Sequence, residues 1–187
     1  VTSQNETTFG PWPVTDGLPT IEMHRNLPID IQVKHIIAMN NINDIIISNC
    51  YPTYEELKVL GSMRKDMVTF DVAIEENIRE VEKKILFEEI HFNRGDISDS
   101  LIRSTQSRVK YKGYKFELFN TPKIIKRGDI VIESSEYGHY AGELQIALTD
   151  MKNSGKSNVV GYIRKEELFI LDYIKPWQKF NFKPSTK

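Results

Sequence analysis

The sequence predicts two architectures in succession, a portion of a parallel α/β fold and then a small β structure. Residues 29–62 show a helix, a short apolar strand and a second helix, the order typical of parallel α/β folds. Beyond them, short strand-like runs recur between Gly, Pro and Asn residues, which indicates a small closed or nearly closed β structure. The pattern changes at residues 62–66, so we predict one domain over residues 1–64 and another over residues 65–187.

The first domain is predicted to begin with a loop over residues 8–25, where closely spaced glycines and prolines disfavour both helix and strand. A helix follows Pro28, because Ile31, His35, Ile36 and Met39 keep helical spacing, and Asn40-Asn41 end it.

The run of residues 44–48 is apolar and β-branched, which predicts a strand buried on both faces. Thr53 and Glu56 match a capping box at the start of a helix over residues 54–62. A buried parallel strand needs neighbouring strands and covering helices. Residues 1–62 are too few to form a complete barrel or doubly wound sheet.

The second domain is predicted to start with a half-buried strand containing Val68, Phe70, Val72 and Ile74, which alternate with other residues. A helix over residues 75–87 follows, with its apolar side chains on one face. Further strands are predicted at 88–92, 107–112, 115–119, 129–133, 142–148, 158–163 and 168–174. The tail, residues 178–187, is expected to fray after a docked Trp177.

Composition excludes several classes of function. Lys and Arg total 25 against 26 Asp and Glu, so the chain lacks the basic excess typical of nucleic-acid or anionic-membrane partners. No apolar run reaches the length of a membrane span. The single cysteine, Cys50, excludes an internal disulfide and fits a reducing compartment. The four histidines show no metal-ligand spacing, so we expect no metal site and no cofactor.

Three segments carry candidate site residues. In the first, Glu22, His24 and Arg25 follow a Gly/Pro loop, where they would face an active site if the loop leaves the carboxyl end of a barrel strand. The alternative is that Glu22 and Arg25 are solvated charges flanking the next helix.

The second segment runs from Arg103 to Arg108 and contains Ser104 and other hydroxyl and amide side chains, which suit a phosphate or carboxylate ligand. In an extended strand the two arginines would point to opposite faces, whereas a turn would join them. A polar surface strand is the alternative.

The third segment contains Tyr140, Glu143 and Gln145 beside two glycines, and offers hydroxyl, carboxylate and amide groups to a ligand. Arg-Gly-Asp also occurs at 94–96 and 127–129. An adhesion function is the more distant interpretation, because a turn leading into the strand at 130–133 explains the second copy.

These segments, and above all residues 127–148, resemble the 6-phospho-N-acetylmuramidase family over nearly the whole chain. The composition, rich in Ile, Lys and Asn, is similar to that of a staphylococcal member. The resemblance implies the C-terminal strands and helices of a TIM-barrel-like domain, followed by a cyclophilin-like β-barrel domain. It also implies that most of the barrel, including the catalytic residues, lies before Val1, so no catalytic residue is assigned here.

The resemblance implies an enzyme that cleaves 6-phospho-N-acetylmuramic acid from N-acetylglucosamine in the cytoplasm, during peptidoglycan recycling. The expected partners are the phosphorylated muramyl disaccharide and the N-terminal half of the barrel. The chain alone is expected to be inactive. Its substrate-binding candidates are Glu22, His24, Arg25, Arg103, Ser104, Arg108, Tyr140, Glu143 and Gln145. The alternative function is a non-catalytic module that binds a sugar phosphate.

Overall fold

The computed structural model describes residues 1–4, 19–48 and 51–185. The chain divides into two compact units, Val1–Val68 and Thr69–Lys187. The predicted loop at 8–25 lies largely outside the described residues, as does Cys50. No helix among the described residues is both long and apolar enough to cross a bilayer.

The described residues of the first unit form a short 3-10 helix and two α-helices. They are the 3-10 helix Glu22–His24, α1 Ile29–Met39 and α2 Tyr54–Ser62. Pro28 precedes α1, and Asn40 ends it in the left-handed region at φ 52°. Ile29, Val33 and Ile36 pack on Val1 in a small apolar core.

The predicted capping box at the start of α2 is confirmed. The Thr53 hydroxyl accepts from the backbone N–H of Glu56, and the Glu56 carboxylate accepts from the backbone N–H of Thr53. Two backbone donors at the positive end of the helix are therefore satisfied by one short motif.

The predicted strand at 44–48 is not formed as a regular strand, and its burial on both faces was wrong. Ile46 is 77% exposed. The segment is extended, however: the Val1 ammonium donates to Ile46 O (2.9 Å), and the Ser48 N–H donates to Val1 O (2.9 Å). These bonds have the spacing of a parallel pair. The backbone therefore follows the predicted direction, but only Ile47 packs against the core, and the other side chains of the segment are exposed.

Up to residue 185, the second unit is built on nine strands. They are β1 Val68–Ile74, β2 His91–Phe92, β3 Leu101–Ser104, β4 Ile124–Ile125, β5 Asp129–Glu133, β6 Leu144–Ala147, β7 Met151–Lys152, β8 Ser157–Ile163 and β9 Lys179–Pro184. The helices are α3 Glu80–Glu88, α4 Gln106–Lys110 and the 3-10 helices Ser135–Tyr140 and Lys165–Tyr173.

Seven of these strands form one mixed sheet in the order β2-β9-β1-β8-β5-β6-β3. β1 and β9 run parallel, since Thr69 bonds to Asn181 and, further along both strands, Ser185 bonds to Val72. β8, β5, β6 and β3 are successively antiparallel. The Arg94 N–H, just after β2, donates to Arg103 O on β3 (3.0 Å), which nearly closes the sheet into a barrel.

The tail is an ordered strand, so the prediction of a frayed terminus was wrong. β9 lies between β2 and β1, and Phe180 is fully buried with its ring 6.3 Å from Phe70. The alternation of Phe180 and Phe182 with polar neighbours is the ordinary signal of a half-buried strand. Trp177 is not docked in a core; it is 69% exposed.

Two other predicted strands are helical. Residues 106–110 form α4, whose Ser107 hydroxyl donates to Gly142 O (2.7 Å), so a tertiary bond overrides local preference. Residues 165–173 form a 3-10 helix with Ile170 and Leu171 buried. The segment 115–119 stays outside the sheet, α3 begins later than predicted, and β4 and β7 were not anticipated. β3 overlaps the segment for which a polar strand was one of the two alternatives.

Candidate functional site

One face of the sheet carries a row of polar side chains. The register pairs Arg103 with Gln145 and Gln145 with Val131, so these three side chains share a face. Along the same face, Glu133 lies opposite Glu143 and pairs with Ser157 on β8. Neighbouring strands therefore bring together polar residues that are distant in sequence.

A turn joins the two arginines of the second segment. β3 ends at Ser104 and α4 begins at Gln106, so the chain reverses between Arg103 and Arg108. The Ser107 hydroxyl, which donates to Gly142 O and accepts from the Leu144 N–H, holds α4 beside the start of β6. Both arginines consequently reach the same carboxylate.

That carboxylate belongs to Glu143, which is fully buried. Arg103 Nε donates to its Oε1 (2.7 Å), Arg103 Nη2 lies 2.6 Å from the same oxygen, and Gln145 Nε2 donates to it (3.2 Å). Arg108 Nη1 lies 3.2 Å from Oε2, and Arg94 Nη1 lies 4.0 Å from it. We call Arg94, Arg103 and Arg108 the arginine cluster.

The arginine cluster has an excess of positive charge. Three guanidinium groups meet two carboxylates, because Arg94 also pairs with Asp96 (2.6 Å), so one positive charge is left uncompensated within the group. Arg108 Nη1 and Glu143 Oε2 are within ion-pair distance, yet neither atom has a partner in hydrogen-bond geometry. Buried polar groups normally have such partners. Arg108 Nη1 therefore keeps donor capacity that an anion or water would use, and Glu143 Oε2 keeps acceptor capacity that only a donor such as water would use.

Tyr140 packs on the two guanidinium groups. Its ring centroid lies 5.2 Å from the guanidinium carbons of both Arg103 and Arg108. The turn that places it contains Gly142 at φ 81°, where a side chain would also clash with the Phe116 ring 2.6 Å away. This arrangement fixes the planes of the guanidinium groups.

Burial and neighbouring groups shift the pKa values of both Arg103 and Glu133. Burial by itself would lower the pKa of Arg103, but the hydrogen bond and the charge of Glu143 outweigh it and raise that pKa. Burial raises the pKa of Glu133 to about 7, and the charge of Glu143 adds to the effect, against a hydrogen bond from Ser157 (2.7 Å). A substantial fraction of Glu133 is therefore protonated near neutrality.

Ser104 points to the opposite face of the sheet. His91 Nε2 lies 2.9 Å from Ile85 O and must donate to it, so Nδ1 accepts from the Ser104 hydroxyl (2.9 Å). Burial lowers the pKa of His91 to about 4, which keeps this ring neutral. The structure therefore gives Ser104 a packing role and does not bring its hydroxyl to the arginine cluster.

The candidates of the first unit form two separate pairs. Arg25 donates to the Glu22 carboxylate from Nε (2.6 Å) and Nη2 (2.8 Å), and this hydrogen bond lowers the pKa of Glu22. His24 is buried, and its Nε2 lies 2.7 Å from His35 Nδ1. Burial and the neighbouring His35 lower the pKa of His24 to about 4. Substrate contact by these three residues remains a prediction.

Two members of the site escaped the sequence analysis. Arg94 was considered only as part of an Arg-Gly-Asp tripeptide, and Glu133 only as the end of an apolar strand. Placing Glu133 needs the pairing of β5 with β6, although a carboxylate that continues a buried run was a usable signal. In the second tripeptide, Arg127 bonds within the fold to Leu148 O, Leu168 O and Asp172, which argues against a free adhesion loop.

Comparison with known proteins identifies the family. Residues 1–62 match the family described as 6-phospho-N-acetylmuramidase, N-terminal, and residues 68–183 match 6-phospho-N-acetylmuramidase, C-terminal. The chain belongs to the 6-phospho-N-acetylmuramidase family. This name denotes glycoside hydrolases and implies a phosphorylated muramyl substrate.

Two solved structures are similar. One, the crystal structure of an uncharacterized B. cereus protein, is 42% identical with a TM-score of 0.89, over 97% of this chain and 52% of that chain. The other, a conserved protein of unknown function from Enterococcus faecalis, is 24% identical with a TM-score of 0.69, over 98% and 48%, and shows the fold alone. The chain thus spans about half the length of both relatives. No curated protein matches.

Proposed function

We propose that this chain is the C-terminal part of a glycoside hydrolase that cleaves 6-phospho-N-acetylmuramic acid from N-acetylglucosamine, and that the arginine cluster binds the 6-phosphate. The observation that carries the proposal is the meeting of three guanidinium groups at the buried Glu143, with one positive charge in excess after Arg94 pairs with Asp96. A phosphate monoester carries nearly two negative charges at neutral pH. The family to which the chain belongs supports a phosphorylated muramyl substrate.

The residues of the cluster suit binding more than bond cleavage. Glycoside hydrolysis normally uses two carboxylates that reach the scissile bond, whereas Glu133 and Glu143 are buried and engaged with Ser157 and Arg103. We therefore assign the catalytic acid and its partner to a barrel half that completes the first domain, and substrate recognition to the second. The TIM-barrel-like and cyclophilin-like descriptions of the two domains belong to this proposal.

The same observation favours one alternative, a sugar-phosphate-binding module without catalysis. In both proposed functions the ligand binds at the arginine cluster, and they differ only in whether the full-length protein hydrolyses it. Peptidoglycan recycling in the cytoplasm is the setting proposed for the enzyme, from the family resemblance and a cysteine content that fits a reducing compartment.

Turnover by a full-length parent separates the two functions. The parent should hydrolyse the phosphorylated disaccharide, and residues 1–187 alone should bind it without detectable hydrolysis. Hydrolysis by residues 1–187 at a rate comparable with the parent would contradict the assignment of catalysis to the other half. Binding by both proteins with hydrolysis by neither would favour the module.

A further inference from the structure

Trp177 combines wide exposure with an unfavourable backbone conformation. Its side chain is 69% exposed, and its φ of 63° lies in the left-handed region that bulky residues avoid. Such conformations persist only where the surrounding structure enforces them, and they occur often at functional sites. Trp177 is not among the residues described above as contacting Glu143, so those contacts do not explain its conformation.

Gly95 supports the indole ring from below. A Cβ placed on Gly95 would lie 2.5 Å from Cζ2 and 2.6 Å from Cε2 and Nε1 of Trp177. One side of the ring therefore rests on backbone that only glycine permits, while most of the rest is open to solvent. The pair forms a firm aromatic surface, which we call the Trp177–Gly95 platform.

The loop of residues 93–96 connects this platform to the arginine cluster. On one side, the Trp177 N–H donates to Asn93 O (2.7 Å); on the other, the Arg94 N–H donates to Arg103 O (3.0 Å). Adjacent strands lie about 4.8 Å apart, so the backbones of Trp177 and Arg103 are roughly 10 Å apart. A sugar with an anionic substituent has dimensions of this order.

We propose that the Trp177–Gly95 platform stacks against the sugar ring of a phosphorylated saccharide whose phosphate is held by the arginine cluster. The proposal rests on the proposed function and extends it with a second binding surface. An aromatic face offers apolar area to the C–H groups of a sugar ring, and charge-assisted bonds from arginine suit its phosphate. In the alternative, the indole only stabilises the turn before β9. It then contributes to the stability of the fold but not to the affinity for the sugar phosphate.

The platform can be tested on the 187-residue chain, which contains two tryptophans. In a Trp12→Phe background, the single indole N–H signal in a nitrogen–proton correlation spectrum reports Trp177. We expect N-acetylmuramic acid 6-phosphate to shift this signal at saturation. Inorganic phosphate should shift it much less while still binding, and unphosphorylated N-acetylmuramic acid should bind weakly.

Two substitutions separate binding from folding. Trp177→Gly removes the indole but accepts the positive φ, so thermal stability should change little while affinity for the sugar phosphate falls at least about fivefold. Affinity for inorganic phosphate should stay unchanged, and Trp177→Phe should recover part of the lost affinity.

Two other outcomes would overturn the proposal. Unchanged sugar-phosphate affinity in Trp177→Gly, with or without a loss of thermal stability, would overturn the platform and leave the anion site intact. Absence of binding by both the sugar phosphate and inorganic phosphate would overturn the proposed function and the platform with it.

Discussion

At the residue scale, the neighbouring carboxyl groups of Glu133 and Glu143 have different surroundings. Glu143 is bonded by Arg103 and Gln145, whereas Glu133 accepts a hydrogen bond from the Ser157 hydroxyl and feels Arg103 only through its charge. Carboxylates directly opposite each other on adjacent strands repel. Burial and this repulsion together explain why the protonated form of Glu133 is favoured in the folded state.

Glu133→Gln should flatten the dependence of stability on pH. The pKa of Glu133 rises from 4.5 to about 7 on folding, so the folded state binds more protons in that window and loses stability as pH rises through it. Above pH 7 the glutamine variant should therefore be more stable than the wild type, by up to about 3 kcal/mol, and nearly equal at pH 4.5.

Urea unfolding followed by circular dichroism at both pH values measures this difference. Glu136→Gln, which changes an exposed glutamate of the same unit, is the matched control and should leave the profile unaltered. An equal effect of Glu133→Gln at both pH values would show that the residue does not titrate in this window.

At the element scale, short sequence patterns predicted individual helices and strands, whereas the candidate site is formed by pairing between strands that are distant in sequence. The capping box at Thr53 follows from four consecutive residues, and α1 and β5 from short hydrophobic patterns. Arg103 and Glu143, in contrast, are forty positions apart and meet because β3 pairs with β6, which no local pattern specifies. Both residues could be identified as candidates from the sequence, but their contact could not be predicted from it.

Burial also escaped prediction where it depends on neighbours. The apolar run at 44–48 is exposed at Ile46, while the polar-looking tail contributes Phe180 to the core. The apolar run at 44–48 and the alternating tail both fit an extended strand, which is how their backbones run. Whether other elements cover the side chains of a strand depends on the whole fold, and a local pattern does not report it.

The contribution of β9 to the stability of the second unit can be tested by substitution. Phe180→Ala should destabilise the second unit by about 3–5 kcal/mol, because it leaves a cavity beside Phe70 and His91 in the core. Lys179→Ala, on the exposed side of the same strand, should change stability by less than about 0.5 kcal/mol. Equal, small effects of both substitutions on the unfolding transition would mean that β9 is not an integral strand.

At the scale of the whole molecule, the two units differ in how well their elements are buried. α2 has no buried residue, and Ile42 and Ile46 are exposed, whereas the second unit buries residues from most of its strands. Regions with little buried apolar surface open at low free energy. We therefore expect the first unit to be the less stable of the two.

Limited proteolysis followed by mass spectrometry tests this difference. Brief trypsin treatment should cut near Lys58, Arg64 and Lys65 before any site within residues 69–185, and should leave a resistant fragment of the second unit. Early cleavage within β5, β6 or β8 at a similar rate would contradict the expected order.

The central claim is that the arginine cluster recognises the phosphate of the ligand. Its structural alternative is that the arginines serve only to neutralise and hold Glu143. A charge-assisted hydrogen bond contributes roughly 1.5–3 kcal/mol, equivalent to about 10- to 150-fold in affinity. Arg108 is the best probe, because Arg103 makes the close bonds to Glu143 while Arg108 Nη1 retains unused bonding capacity.

The most direct measurement is calorimetric titration of the chain with N-acetylmuramic acid 6-phosphate and with its unphosphorylated form. Arg108→Gln should lower affinity for the phosphorylated sugar at least about 10-fold. It should leave the unphosphorylated sugar almost unaffected. Arg79→Gln, which removes an arginine paired with Glu117, should change neither affinity. Equal losses for both sugars in Arg108→Gln, or lower thermal stability with unchanged affinity, would contradict phosphate recognition by the arginine cluster.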